Sequence, residues 1–582
     1  MDWLNDSIDL VVRLLWSKYT FLTLLAMGVL FTLWSRFIQY RGLTHGVALL
    51  RGKYDDRRDP GAINHFQALS TALSGTVGLG NIGGVALAVS LGGPGAVFWM
   101  WMAGFFGMAI KAIEVTLAMM YRDTSDPDNP RGGAMWVITR GWGIPRGGAA
   151  KPLSYALGGL FATALLLATF TGGNMFQSWN VANITAEYFG VPQVASGIVM
   201  AVLTGLTIIG GIKRIGDVTA WLTPGMCALY LLAGLTVLIV RAADVPALLG
   251  LIVREAFAPT TAQGAFLGAT AWFGLTTGLR RALFSNEAGQ GSSPVAHSAA
   301  KTKEPAREGI VAALEPFVDT CVVCTLTALV LLSTSTWNRE AVGELKGTVR
   351  VVTDENQVWR VEGPSSIEHL PPLAYPDIWN AGSGFFLLAE TPEPSVDRGN
   401  RLTKVSAVLN PVDGDTTGRL EIVWQSPAAG AVLVDQRVYR ELTGAALTGH
   451  AFDRAVPGLG KWLVTLTCWM FAVSTLISWS YYGEQATVFL FGARMVVPYK
   501  LIFCAAIIFA ALPAFIRTDA QLGNLADLGA GCMLITNAPI ILLLSSRAIA
   551  QLRAYCTRLD RGEFTPQTTP RLIDVVEGND GE

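Results

Sequence analysis

Charge is scarce in this 582-residue chain: Asp, Glu, Lys and Arg make up 15% of it and the net charge is −1. That balance excludes a nucleic-acid surface and any bulk electrostatic partner. Histidine is scarcer still, with five residues at 45, 65, 297, 369 and 450 that share no metal-ligand spacing and no HExxH. GLGKW at 458–462 falls short of the phosphate-binding GxxxxGK[ST], so the motifs of a hydrolytic or nucleotide enzyme are missing. The seven cysteines (227, 321, 324, 468, 504, 532, 556) avoid the polar stretch 335–460, form no disulfide framework, and leave Cys321/Cys324 without the second pair of a zinc site. The N-terminus does not read as a cleavable leader. MDWLNDSIDLVVRLLWSKYT opens on Asp2, Asp6 and Asp9 instead of basic residues, and residues 7–16 read as a short amphipathic helix on a membrane surface.

What the chain has is apolar length. Half of it (51%) is hydrophobic and the mean hydropathy is +0.42, the profile of an all-α polytopic membrane protein. Stretches of about 20 apolar residues predict eleven transmembrane helices, near 20–39, 66–91, 95–121, 153–186, 193–212, 218–241, 264–283, 309–334, 459–482, 499–516 and 522–546. Basic residues such as Arg51, Lys53 and Arg58, Arg140 and Lys151, Lys213 and Arg214, Lys301 and Lys303, and Arg547 and Arg553 all fall on one side of this arrangement. The positive-inside rule makes that side cytoplasmic, with the N-terminus outside and the C-terminus inside.

Five regions follow: a surface helix (1–19), spans one to eight (20–334), an insertion (335–458), spans nine to eleven (459–546) and a cytoplasmic tail (547–582). The insertion contains TVRVVTDENQVWRVEG, GFFLLAE, RLTKVSAVLNP and GRLEIVWQ, runs rich in Val, Thr, Ile and aromatics bounded by Gly, Pro and Asp. These predict a small β-rich extracytoplasmic domain serving as lid or spacer.

Two spans look broken. The second reads SGTVGLGNIGG through its middle, and in the seventh Gly274, Thr276, Thr277 and Gly278 interrupt GAFLGATAWFGLTTGLRRALF. Unpartnered backbone in lipid costs several kcal/mol per group, so irregular backbone at membrane depth survives where it lines a cavity; close packing through small residues is the other use of such glycines. Breaks five helices apart predict a five-plus-five inverted repeat with a binding site at the midplane. Freed amides at a half-helix start suit an anion, and freed carbonyls suit a hard cation or an ammonium. A small zwitterion coupled to sodium matches both.

GTVGLGNIGGVALAVSLGGPGAVFWMWMAGFFGMAIKAIEV, FSNEAGQGSSPVAHSAA, FVDTCVVCTLTALV and STLISWSYYGEQ together resemble the alanine or glycine:cation symporter family over about residues 20–330 and 460–550. The insertion lies outside the resemblance. The family implies a LeuT-like fold in a bacterial plasma (inner) membrane and sodium-coupled uptake of a small neutral amino acid, alanine or glycine, by alternating access. It implies no enzyme activity and no obligate protein partner beyond the lipid bilayer. It places sodium at the carbonyls of Ser74, Val77 and Phe471 and the hydroxyls of Ser474 and Thr475. The substrate carboxylate would meet the amides of Leu79 and Gly80, beside Thr76 and Gly78, and the ammonium Phe273, Gly274 and Thr276, with Gln177 and Trp479 bordering the pocket. Leu79 stands where relatives often have Thr, so an amide contact is implied there and a side-chain contact is not. Ser285–Asn286–Glu287 reads as a helix start in an inner-gate scaffold.

Two other readings stay open. Glu114, Asp319, Glu484 and Asp527 lie in or at the ends of spans, and intramembrane carboxylates suit a proton-coupled carrier. Asp319 is the relay candidate, whereas Lys111 one turn from Glu114 points to an ion pair. A passive channel, or a receptor sensing through the outer domain, is the third class.

Overall fold

The computed structural model describes residues 2–56, 58–259, 261–353, 358–373, 379–412, 419–442, 444–512, 519–567 and 569–578. Among these, eight helices are long and apolar enough to cross a bilayer: Leu10–Trp34, Gly95–Tyr121, Ala150–Ala186, Gly211–Val240, Pro305–Ser333, Gly460–Phe491, Ala493–Ala510 and Gly523–Asp560. A ninth span is the pair His65–Thr76 and Gly80–Gly92, bent by 52° at the residues between them. The chain is a mostly helical, polytopic membrane protein. Of the other two expected spans, Gln193–Ile208 is a shorter apolar helix and Ala271–Asn286 is a 16-residue helix carrying Arg280 and Arg281.

The N-terminal helix, Asp2–Leu15, ends against the last long helix, where Trp16 Nε1 donates to the Asp527 carbonyl at 2.8 Å. The helix Gly95–Tyr121 packs against both Ala271–Asn286 and Pro305–Ala312. It does so through glycines: a Cβ on Gly278 would sit 2.3 Å from the Ala96 carbonyl oxygen, and one on Gly309 would sit 2.6 Å from that of Ala112.

Gly278 belongs to the expected second break, and here the structure differs. Ala271–Asn286 is continuous through Gly274–Gly278. Those glycines admit a neighbouring backbone, so the close-packing use of small residues holds in this segment. The chain before it, 264–270, is not helical, and Thr270 caps the helix by accepting from the Phe273 amide at 3.1 Å. The helix ends at Asn286, with Glu287 at φ 54° and Gly289 and Gly291 at φ 84° and 89°. Ser285–Asn286–Glu287 is therefore a helix end, not a start, because the glycine-rich AGQG that follows takes up left-handed backbone.

Among its described residues, the insertion carries eight strands: β1 (Gly343–Glu344), β2 (Arg350–Thr353), β3 (Trp359–Glu362), β4 (Gly384–Glu390), β5 (Leu402–Pro411), β6 (Leu420–Trp424), β7 (Val432–Leu433) and β8 (Arg437–Glu441). The antiparallel order is β1-β8-β4-β5-β6, with β7 on β4 and a separate β2–β3 hairpin. GFFLLAE is a continuous apolar run because β4 is buried on both faces. Phe385 and Leu387 enter the sheet's own core with Leu409 and Val438. Phe386 and Leu388 face Tyr439 and Ala265, in the stretch preceding Ala271–Asn286. Backbone bonds fasten the two parts: Ala265 N–H to the Arg339 carbonyl (2.9 Å) and Thr270 N–H to that of Asp397 (2.8 Å). After β8 the chain forms the helix Gly444–Ala455, so the end of the insertion is helical. That helix lies on the broken span, where Thr448 Oγ1 donates to the Ile82 carbonyl at 3.0 Å.

Candidate functional site at the broken span

The break begins where His65–Thr76 ends at Val77, whose ψ of 88° turns the chain out of the helix. Glycine there serves close approach: a Cβ on Gly75 would lie 2.8 Å from the Tyr482 hydroxyl, and one on Gly78 would lie 2.8 Å from Thr475 Oγ1. Asn81 holds the loop, accepting from the Gly78 amide at 2.9 Å while its Nδ2 donates to Asp319 Oδ1 at 2.5 Å. The Leu79 amide points at Gln177 Oε1, 3.5 Å away.

The expected cation ligands come together across two helices some 400 residues apart. The Ser74 carbonyl accepts from Thr475 Oγ1 at 3.1 Å and from Ser474 Oγ at 3.4 Å, and Ser74 Oγ donates to the Ser474 carbonyl at 2.7 Å. Ser474 Oγ also reaches the Phe471 carbonyl at 2.9 Å. Val77 is buried one turn on, its amide bonded to the Leu73 carbonyl. Neutral carbonyl and hydroxyl oxygens at an unwound helix are the donor set that carries a hard monovalent cation in transporter sites.

Beside this group lies a cavity of about 430 Å³ of atom-free space, lined by Thr76, Gly78, Gly80, Gln177 and Trp479 among the expected residues. Trp479 is tied to the break, its Nε1 donating to the Gly75 carbonyl at 3.2 Å. Phe273, Gly274 and Thr276 are elsewhere. Phe273 lines a separate cavity beside the insertion with Leu87, Leu91 and Arg339, Gly274 packs on Gly92, and Thr276 Oγ1 donates to the Phe273 carbonyl at 3.1 Å. In their place the cavity receives Phe284, Glu287 and Gln290. Sequence reasoning assigned that block to scaffold. The signal available was the glycine spacing of EAGQG, which marks the true end of the helix.

Each intramembrane carboxylate finds a partner. Asp319 accepts from Asn81, from Ser285 Oγ (2.8 Å) and from Thr320 Oγ1 (2.8 Å). Glu484 pairs with Lys500 at 2.9 Å and Asp527 with Arg280. Glu114 accepts from Asn537 Nδ2 at 2.6 Å. Lys111, expected to pair with Glu114, instead meets Glu315 at 3.2 Å and Ser293 Oγ at 2.7 Å, because the helix Gly95–Tyr121 presents it to the segment 293–315. In the cavity beside the insertion, burial pushes the Arg339 guanidinium down to about 10, leaving it charged at neutral pH.

The model of the sodium:alanine symporter family matches residues 1–359 and 422–569, passing over 360–421 within the sheet-bearing insertion. The sodium/alanine symporter AgcS of Methanococcus maripaludis is 33% identical over 552 residues, covering 94% of this chain and 96% of the relative. The amino-acid carrier protein AlsT of Bacillus subtilis is 34% identical over 328 residues, 56% of this chain and 66% of the relative. With the family matched over most of its length, and a span broken beside a group of carbonyl and hydroxyl oxygens, this chain belongs to the sodium:alanine symporter family.

Proposed function

We propose that the chain is a secondary active transporter that takes up a small neutral amino acid, alanine or glycine, with sodium. It works by alternating access in a LeuT-like five-plus-five inverted repeat of eleven spans. The N-terminus and the insertion face the outside of a plasma membrane, and the C-terminus faces the cytoplasm. One observation carries this reading: the break between Thr76 and Gly80 sets the Ser74 carbonyl among the Ser474 and Thr475 hydroxyls while the Leu79 amide points at Gln177.

In this reading sodium takes the carbonyls of Ser74, Val77 and Phe471 and the hydroxyls of Ser474 and Thr475. The carboxylate of the amino acid takes the Leu79 and Gly80 amides, aided by the dipole of the half-helix they open. Its ammonium is assigned to Glu287, which lines the same cavity at the end of Ala271–Asn286, in preference to Phe273, Gly274 and Thr276, which lie outside it. Trp479 and Gln177 wall the side chain and favour a small body. Asp319, with donors from three side chains, acts as a fixed carboxylate that ties the break to the segment 317–324.

The test is uptake into proteoliposomes from a panel of amino acids, with and without sodium at fixed pH. Alanine or glycine uptake that disappears without sodium is the expected result. Uptake indifferent to sodium, or restricted to large side chains, overturns the assignment.

A further inference from the structure

Beneath the cavity runs a line of titratable side chains for which the sodium reading has no use. Asp55 Oδ1 stands 3.6 Å from His65 Nε2, and His65 Nδ1 bonds Glu308 Oε2. The other Glu308 oxygen bonds His297 Nδ1 at 2.6 Å, and His297 Nε2 faces Glu315 Oε2 at 3.5 Å. Glu315 Oε1 then faces Lys111 Nζ at 3.2 Å. The side chains of Glu308, His297, Glu315 and Lys111 are fully buried and that of His65 is 1% exposed, whereas Asp55 is 15% exposed in the basic loop with Arg51, Lys53 and Arg58.

At the far end of the line, two serines adjacent in sequence separately bond its last members and the carboxylate that lines the cavity. Ser293 Oγ accepts from Lys111 Nζ at 2.7 Å and donates to Glu315 Oε2 at 3.0 Å, and Ser292 Oγ donates to Glu287, which lines the cavity. Other charges facing the line are Arg307 beside His65, Arg122 beside Glu308, and Glu114 and Glu287 beside Lys111.

A structural network explains this arrangement poorly. Burying each ion costs several kcal/mol, and well-packed apolar side chains generally serve stability as well or better. The bonding is also incomplete: His65 Nε2, His297 Nε2 and Glu315 Oε1 make no hydrogen bond, and each faces the next member of the line across a gap of 3.2–3.6 Å. Both histidines are bonded to a carboxylate through one ring nitrogen and face another through the other. This is the geometry in which imidazole accepts a proton at one nitrogen and releases one at the other.

We propose that Asp55, His65, Glu308, His297, Glu315 and Lys111 form a proton path from Glu287 in the central cavity to the basic face of the protein, and that binding of the amino acid discharges a proton along it. This deepens the transport reading and rests on it. The incoming ammonium takes the place of the proton on the Glu287 carboxylate. That proton passes to Lys111 as Lys111 gives one to Glu315, and the histidines hand it through Glu308 to Asp55 and solvent. The amino acid enters as a neutral zwitterion, so the proton that leaves is balanced by the sodium ion that enters with it, and the buried charge is conserved.

The test uses the purified full chain in weakly buffered detergent with a pH-indicator dye, mixed by stopped flow with alanine at saturating sodium, and alanine binding followed separately by calorimetry. About one proton released per alanine bound is expected, with release lost in Glu287→Gln and slowed at least ~tenfold, about 1.4 kcal/mol of barrier, in His65→Gln and His297→Gln. Asp55→Asn, at the partly exposed mouth, provides the same kinetic test if the buried variants do not fold. Alanine that binds without releasing a proton overturns the path alone, as does release at wild-type rate in both histidine variants, or in Asp55→Asn where it stands in for them. If neither alanine nor glycine binds, the transport reading falls and the path loses its trigger with it.

Discussion

Gly78 and Thr475 are coupled by a single contact, and their double-mutant cycle tests the geometry of the cation group. In Gly78→Ala the new Cβ falls 2.8 Å from Thr475 Oγ1, well inside van der Waals distance, while the next atoms, on Gln177, stand at 3.6 and 3.9 Å. Gly78 has no positive φ, so the cost is the contact and not the backbone. Overpacking of this kind costs about 1–3 kcal/mol, and it is relieved by pushing the hydroxyl away from the Ser74 carbonyl that it now meets at 3.1 Å. If that hydroxyl is a sodium ligand, the sodium concentration for half-maximal uptake rises by roughly 5- to 150-fold, the equivalent of the same energy. Thr475→Ala raises it too, by deleting the ligand. Because the clashing atom is then gone, Gly78→Ala on the Thr475→Ala background should add less than about 0.5 kcal/mol, the scatter seen for independent sites. The assay is the sodium dependence of amino-acid uptake in proteoliposomes for the four proteins. Penalties that simply add, or a sodium dependence unmoved by either change, refute the reasoning.

Three further outcomes are expected. Glu344 and Arg437 are paired across β1 and β8, so replacing residues 345–436 by Asn-Gly closes a two-residue hairpin; uptake should persist if the sheet is a lid or spacer, and its abolition would make the sheet a capture or sensor domain. Gly278→Ala drives a Cβ to 2.3 Å from a backbone oxygen and should destabilise by about 3 kcal/mol or more, read as a fall in thermal midpoint; a neutral result would return the break to this segment. Burial lowers His45 to about 4 from its usual 6.5, and its Nε2 bonds the Tyr555 hydroxyl at 2.9 Å. Between those values the unfolded chain binds the extra proton, so this contribution is complete above pH 6.5 and is lost as pH falls toward 4. His45→Gln should flatten that part of the stability profile, and an unchanged acid slope would remove His45 from it.

The break was legible because its cause is local, and the residues of the oxygen cluster were legible through the family resemblance. SGTVGLGNIGG weakens a helix wherever it is placed, and Ser474 and Thr475 lie in a motif with a known order. That Phe284, Glu287 and Gln290 line the cavity was not legible. The glycines of Gly274–Gly278 and those of Ala288–Gly291 are alike as letters, and only the approach of Ala96 to Gly278 and the left-handed backbone at Gly289 and Gly291 tell packing from breakage. For the same reason GFFLLAE gave no hint that one of its faces would seat the chain leading into Ala271–Asn286.

By itself the sequence determined what local physics decides: apolar lengths that cross a bilayer, a span too rich in glycine to remain one helix, and a family read from long ordered blocks. The tertiary structure decided what depends on distant partners. It joined Ser74 to Thr475, brought Glu287 into the cavity, and aligned five buried groups, His65 through Lys111, from three separate segments behind Asp55. A lone His or Glu carries no sign of its neighbour, and the energy of a buried charge is set almost wholly by which opposite charge the fold places beside it.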